Sequence, residues 1–147
     1  MGGVSKLYSV TPKDEGIKAL AVNGTVMSVV AEQGYVTIDR TWKAGDQIEF
    51  EIPLVVQRVK ANPHVEADRG RIALRYGPLI YCIESVDQDV ESVLDDKSPL
   101  SVARRPDLLG GVTVIEGSFT NGKKLTAIPY YLRNNRGGRS IVWVKAK

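Results

Sequence analysis

Two carboxylates on one predicted strand have a spacing suited to paired acid–base chemistry. Glu49 and Glu51 lie in a segment where polar and apolar residues alternate. Because successive strand side chains point to opposite faces, both carboxyls share one face, and Ile48, Phe50 and Ile52 are predicted to face a core. Hydrolysis of a glycosidic bond uses two carboxyls roughly 5–10 Å apart. The alternation alone also predicts a solvated strand face, and we favour that interpretation.

The sequence has one histidine, His64, and one cysteine, Cys82. This pair cannot build a histidine and cysteine zinc site, so we expect no metal and no cofactor. Cys82 sits in an apolar run and is predicted to be a buried, inert thiol. His64 follows an Asn-Pro turn signal with no nucleophile-elbow motif nearby, so we expect a solvent-facing loop residue. Glu84 ends the apolar run and is predicted to be partly sheltered, without a partner that the sequence can name.

Four aromatic residues are candidates for stacking on sugar rings, whose C–H faces match an aromatic face. They are Trp42, Tyr130, Tyr131 and Trp143. Trp42 precedes a turn, where binding platforms often lie, and Trp143 alternates with its valine neighbours in a strand. Packing in a core or against another domain is the alternative for each of them, and we favour it.

Charge and hydropathy exclude two classes of partner. The net charge is +3 and evenly spread, which argues against nucleic-acid binding. The Arg- and Gly-rich segment 133–139 resembles an RNA-binding segment, but it occurs once between strands and is predicted to be a connecting loop. Apolar runs are too short to cross a bilayer, and no charged segment followed by an apolar one opens the chain, so we expect no signal peptide.

A period of two dominates the chain, which predicts an all-β fold without a long helix. We expect an antiparallel β-sandwich, jelly-roll-like or immunoglobulin-like, with about nine strands separated by turn signals. Segments 71–76, 79–83, 112–115, 125–128 and 141–144 are among the predicted strands.

Other segments carry turn or loop signals. Asn23-Gly24 predicts a hairpin with a type I′ turn, and this reading is favoured over the glycosylation sequon that the same residues match. Segments 35–40 and 47–52 are predicted to pair in a second hairpin. Segment 87–106 is predicted to be a long surface excursion with one short helical turn near residues 90–94.

A single β-sandwich domain is predicted over residues 17–147. Residues 1–16 are expected to form an N-terminal extension, whose opening Met1-Gly2-Gly3 is typical of residues added in cloning.

An ordered series of segments resembles the region that follows the catalytic barrel in glycoside hydrolase family 127, the beta-L-arabinofuranosidase-like proteins. The segments are GYVTIDRTWKAGD (34–46), IPL (52–54), ANP (61–63), DRGRIAL (68–74), YGPLIYCIE (76–84), LTAIPYY (125–131), NRG (135–137) and VWV (142–144). The resemblance implies β-sandwich domains after an (α/α)6 barrel that holds the cysteine nucleophile, the catalytic glutamate and the zinc ligands. None of those motifs is in this sequence, so no catalytic residue is carried over. Arg133 is a departure, since a tryptophan is expected there.

The resemblance implies a non-catalytic accessory domain of a glycoside hydrolase. Its expected partner is the catalytic barrel of the same parent protein, with a glycan or a second copy of the chain as further candidates. A carbohydrate-binding module that uses exposed aromatics is the alternative function. An independent enzyme that uses Glu49 and Glu51 is a third, less favoured reading.

Overall fold

The computed structural model describes residues 7–147, so the predicted cloning residues Met1-Gly2-Gly3 lie outside the described part. The described chain forms two compact units. The first unit consists of residues 13–54, and the second unit consists of residues 7–12 and 55–147. The sequence did not suggest a division at residue 54. Whether residues 17–147 behave as one folding domain stays a prediction.

The described residues form antiparallel strands and two short 3-10 turns, Glu66–Asp68 and Tyr130–Leu132, with no α-helix. This confirms the all-β prediction, although many of the strands are shorter and more numerous than expected. In chain order the strands are β1 (Tyr8–Thr11), β2 (Ala19–Val22), β3 (Thr25–Val26), β4 (Ala31–Glu32), β5 (Tyr35–Val36), β6 (Ile48–Glu51), β7 (Val56–Ala61), β8 (Arg71–Tyr76), β9 (Leu79–Glu84), β10 (Ser101–Arg105), β11 (Val112–Ser118), β12 (Lys124–Pro129), β13 (Ser140–Ile141) and β14 (Val144–Lys145). No helix in the described part is long and apolar enough to cross a membrane.

The second unit is built on one curled sheet in the order β1-β7-β8-β9-β12-β11-β10. The hairpin of β8 and β9 is paired only near its turn, at residues 74–76 and 79–81. Beyond those pairs the last segment of the chain takes over the pairing. β13 pairs with the end of β9, and β14 pairs with the start of β8. The predicted strand 141–144 is therefore divided between two partners.

Both faces of this sheet are buried, and neighbouring residues of β9 show it. Tyr81 and Ile83 join a cluster with Leu74 and Ile115 on one face. Cys82 points the other way, into a smaller cluster that contains Val114. This two-sided burial explains why 79–83 is a continuous apolar run rather than an alternating one. It also confirms the prediction that Cys82 is buried.

Segment 87–106 is not the surface excursion that its weak periodicity suggests. Val90 and Leu94 are buried in the larger cluster, and a single hydrogen-bonded turn from the Ser92 N–H to the Asp89 carbonyl does not extend into a helix. The Gln88 side chain donates to the Thr126 carbonyl and accepts from the Thr126 N–H, at 2.7 Å each. The amide of Gln88 thus satisfies the backbone of β12 as a neighbouring strand would. The segment ends in β10, the edge strand of the sheet.

The first unit contains two small sheets, β3-β2-β6 and β4-β5. Asn23 and Gly24 have φ values of 51° and 75°, which confirms the predicted turn with positive φ at both positions. The Asn23 side chain donates to Asp46 and accepts from the N–H of Gln47, both at 2.8 Å. The predicted pairing of 35–40 with 47–52 is wrong, because β5 pairs with β4 and β6 pairs with β2. The hydrogen bonds from Asn23 to Asp46 and Gln47 hold the end of β2 beside the start of β6 and so favour the β2–β6 pairing.

Replacement of Ile115 by alanine tests the core of the second unit. Ile115 is fully buried, so we expect a loss of about 2–5 kcal/mol in the free energy of unfolding. Val102 lies directly opposite on the exposed edge strand, and Val102→Ala is expected to cost less than ~1 kcal/mol. Urea denaturation followed by far-UV circular dichroism measures both. Equal losses for the two variants would contradict this placement of the core.

Candidate functional surfaces

Glu84, at the end of β9, is the only charged residue buried among the described residues. Its side chain is 0% exposed and accepts three hydrogen bonds. Asn134 donates its backbone N–H to one carboxylate oxygen at 2.6 Å. Arg136 donates from Nε and Nη2 to the other oxygen, at 3.1 and 2.7 Å. All three donors come from one loop, so the carboxylate fastens that loop to the sheet.

The same loop, residues 133–139, is held at two further points. Arg136 also bonds both carboxylate oxygens of Asp87, whose hydrogen bonds raise the pKa of the Arg136 guanidinium. Arg139 donates its backbone N–H to Ser85 at 2.9 Å. Gly138 has φ +80°, and a Cβ there would lie 2.6 Å from the Ser85 hydroxyl oxygen. The Arg- and Gly-rich segment is therefore a connecting loop, as predicted, and its arginines and glycine serve its own anchoring.

We call the bonds that Glu84 makes to Asn134 and Arg136 the Glu84 clamp. The Cys82 thiol is buried close to it. Burial, and then the negative charge of Glu84, raise the pKa of Cys82 to about 11. The thiol is therefore protonated at neutral pH, and a protonated thiol is a poor nucleophile. His64 lies exposed in its loop, where its N–H donates to the Asn62 side chain at 3.0 Å.

The carboxylates of Glu49 and Glu51 lie exposed on β6. Glu51 forms an exposed ion pair with Lys18 at 3.5 Å. The structure therefore places the pair on a solvated strand face. The apolar residues beside them are also exposed, Ile48 by 47% and Phe50 by 61%. The prediction that Ile48 and Phe50 face a core is wrong for this unit, in which both side chains remain exposed.

Two of the four aromatic candidates lie together. Tyr130 and Tyr131 form the 3-10 turn after β12, and they are 43% and 67% exposed. The Arg133 guanidinium lies 4.9 Å from the centre of the Tyr130 ring and donates to the Tyr130 hydroxyl. One face of Tyr130 is therefore already occupied by Arg133. Tyr131 presents the more open ring.

The other two aromatics are separate. Trp143 is half-buried and stacks on Tyr8, with ring centres 5.9 Å apart. Trp42 is exposed in the first unit, and the Arg40 guanidinium lies 5.0 Å from its ring centre. The described structure thus brings together only Tyr130 and Tyr131 within one turn. Arg133 and Arg40, which accompany the exposed rings, were not among the predicted site residues.

A cleft of about 300 Å³ lies in the second unit, at the ends of β7 and β8. Its lining includes Lys60, Asp96, Arg69 and Arg71. Lys60 and Asp96 form an ion pair, and Arg71 donates to the Trp143 carbonyl at 3.0 Å. The cleft has room for a small polar molecule, but two of its charged side chains already bind each other.

The first unit exposes most of its apolar side chains. Among its residues, only Leu20 and Val22 are buried hydrophobics. Eight large hydrophobic residues are exposed: Val26, Val30, Tyr35, Trp42, Ile48, Phe50, Ile52 and Leu54. Single exposed apolar side chains are ordinary, but a unit that exposes eight and buries two has more apolar surface than its own core can accommodate.

Two family models of known proteins match successive parts of the chain. Residues 56–145 match the model of the glycoside hydrolase family 127 C-terminal domain. Residues 11–54 match the model described as beta-L-arabinofuranosidase, GH127 middle domain. The two matches meet where the two compact units divide.

The similar proteins and solved structures come from the same family as the two matching models. The chain is 35% identical over 109 residues to the non-reducing end beta-L-arabinofuranosidase of Bifidobacterium longum, which covers 69% of the chain and 16% of that protein. A solved GH127 beta-arabinofuranosidase shares 34% identity and a TM-score of 0.83 over 96% of this chain and 25% of its own. A GH127 beta-L-arabinofuranosidase from Geobacillus stearothermophilus T6 shares 32% identity and a TM-score of 0.80 over 97% and 27%. The chain thus spans about a quarter or less of these relatives.

Glu84→Gln tests the clamp, because it keeps the size of the side chain and removes the charge that Arg136 binds. We expect a loss of about 2–4 kcal/mol in the free energy of unfolding. Amides of residues 134–139 should also exchange faster with deuterium. The matched control is Glu91→Gln, at an exposed carboxylate that bonds Arg139 and Lys145 and should have little effect. An unchanged exchange rate in the loop of the Glu84 variant would refute the clamp.

Proposed function

Because the chain belongs to glycoside hydrolase family 127, we propose that it is the non-catalytic accessory β region of a larger glycoside hydrolase. The parent acts on arabinofuranose-containing or related plant glycans, and this region supports its catalytic barrel. The observation that carries the proposal is the use of Glu84. The only buried carboxylate of the described residues is fully engaged in holding a loop, with its side chain closed to solvent. A carboxyl that protonates a leaving group must reach the substrate.

The remaining charges support the same role. Glu49 and Glu51 lie exposed on an open strand, whereas the acid of a glycosidase lies in a sheltered pocket. Elsewhere, Glu116 binds Arg105 and Lys124, and Glu91 binds Arg139 and Lys145. These ion pairs connect strands and loops of the scaffold. The chain also corresponds to 16–27% of the relatives' lengths, which leaves most of a GH127 protein to carry the chemistry.

A second candidate function is glycan binding by exposed aromatics. Tyr131 is two-thirds exposed, and Arg133 and Asn135 follow it closely in the chain. Arg133 donates to the Tyr130 hydroxyl and Asn135 to the Leu132 carbonyl, and both keep further N–H donors suited to sugar hydroxyls. Trp42, on the other unit, is a further platform. Planar rings beside fixed donors are the usual means by which proteins bind sugars. The stacked Trp143 is a weaker candidate, because Tyr8 lies against its ring.

The accessory role predicts no hydrolysis of an aryl beta-L-arabinofuranoside by the 147-residue chain. The full-length parent, assayed at the same molar concentration, should release the chromophore. Turnover that follows the purified chain through chromatography would overturn the proposal if it is abolished by Glu49→Gln, or by Glu84→Gln in a protein that circular dichroism shows to be folded. The control variant is Glu116→Gln, which leaves both candidate carboxylates in place.

The glycan-binding candidate predicts a change in tryptophan fluorescence when arabinan, arabinogalactan or xylan is added. Trp42→Ala should remove a signal that arises in the first unit. Tyr131→Ala should weaken binding at the second unit about 2- to 12-fold, since one stacked ring contributes roughly 0.5–1.5 kcal/mol. Tyr35→Ala is the matched control, because Tyr35 is also a largely exposed tyrosine and is not among the binding candidates. The absence of a shift at millimolar sugar counts against this candidate.

A further inference from the structure

The β2–β6 pair in the first unit has one apolar face and one charged face. Leu20 lies opposite Phe50, and Val22 lies opposite Ile48. Directly opposed residues of antiparallel strands share a face, so these four side chains form one surface. Leu20 and Val22 are buried, whereas Phe50 and Ile48 are largely exposed. Half of this apolar face is therefore covered and the other half is open.

The two faces of β6 differ in character, and the face opposite Ile48 and Phe50 is charged. Glu49 and Glu51 occupy that face, opposite Ala21 and Ala19. Glu51 binds Lys18 there. The charged face is suited to water. The side of Ile48 and Phe50 is suited to a protein interior.

The open side of β6 also has unused backbone groups. The Gln47 carbonyl accepts the N–H of Asn23 on the β2 side, at 3.0 Å. Because hydrogen-bonding direction alternates along a strand, Glu49 and Glu51 also bond toward β2. The N–H and C=O groups of Ile48 and Phe50 then point to the outer edge. β6 is the last strand of its sheet in the described residues, so that edge has no neighbour there.

From these observations we infer that the outer edge of β6 pairs with a further strand from the same parent protein. That strand covers Ile48 and Phe50 and completes the middle domain, to which residues 11–54 are similar. The inference rests on the proposed function, which makes the chain part of a longer protein. It adds that the first unit shares a sheet and a core with that protein.

Size and burial favour this occupant. A unit of some forty residues rarely forms a sufficient core of its own. Here it buries two apolar side chains and exposes eight. The family model that matches it describes a middle domain, which has other parts on both sides. An unpaired edge strand with an exposed apolar face is an aggregation hazard, and natural proteins cover or block such edges.

Residue-resolved hydrogen exchange in the full-length parent and in the 147-residue chain tests the pairing. The amides of Ile48 and Phe50 should exchange at least ~10-fold more slowly in the parent, because only there do they donate to a strand. The amide of Glu49 is an internal control, since it bonds to β2 in both proteins. Equal exchange of Ile48 and Phe50 in the two proteins would overturn the inference. Protection in the isolated chain that rises with its concentration would overturn it too, because a second copy would then occupy the edge.

A pair of variants tests the apolar face separately. In the parent, Phe50→Ser should lower the melting temperature by several degrees, and Glu49→Ser, on the opposite face of the same strand, should change it little. In the 147-residue chain, both substitutions should have small effects. A parent that tolerates Phe50→Ser as well as Glu49→Ser contradicts the inference. Hydrolysis by the isolated chain would refute the proposed function instead, and the exchange measurement does not depend on activity.

Discussion

The buried ion pair between Glu84 and Arg136 is the constraint on which much of the second unit depends. Glu84 ends the central strand β9, and its donors lie about fifty residues later in the chain. Taking a carboxylate out of water is unfavourable by several kcal/mol unless its oxygens are bonded. Here both oxygens are bonded, so the loop can occupy only the position that supplies its donors. That position leads the chain directly into β13, beside the end of β9.

Most strands of the second unit could be predicted from local sequence, because a strand buried on one face alternates and a strand buried on both faces is continuously apolar. Segments 71–76, 79–83, 112–115 and 125–128 lie within β8, β9, β11 and β12. The prediction of a surface excursion over 87–106 is wrong, because a few buried apolar residues lie among many polar ones and give no regular period. Val90 and Leu94 are buried outside the named strands, Leu94 through isolated bridges to Phe119 and Ala146. The Gln88 side chain bonds to β12 where a neighbouring strand would otherwise do so. A period cannot reveal burial of that kind.

The candidate surfaces were less predictable, for two physical reasons. The partner of Glu84 is far away in sequence, and no local pattern connects a glutamate to an arginine in a distant loop. In β6, alternation correctly marks which residues suit an interior. It cannot tell whether the interior belongs to this chain or to a neighbouring part of a larger protein. The alternation thus identifies Ile48 and Phe50 as apolar-face residues, and the strand inferred to cover them belongs to another part of the parent protein.

The insertion of the last segment between β8 and β9 has a consequence for synthesis on the ribosome. Residues 71–84 emerge early, but the open end of their hairpin has no neighbour until residues 140–145 follow. Contacts between such distant segments form slowly, because a long loop must close first. The core of the second unit therefore stays exposed to solvent until nearly all of that unit has been translated. In a multidomain protein, chaperones have their greatest opportunity to bind during that interval.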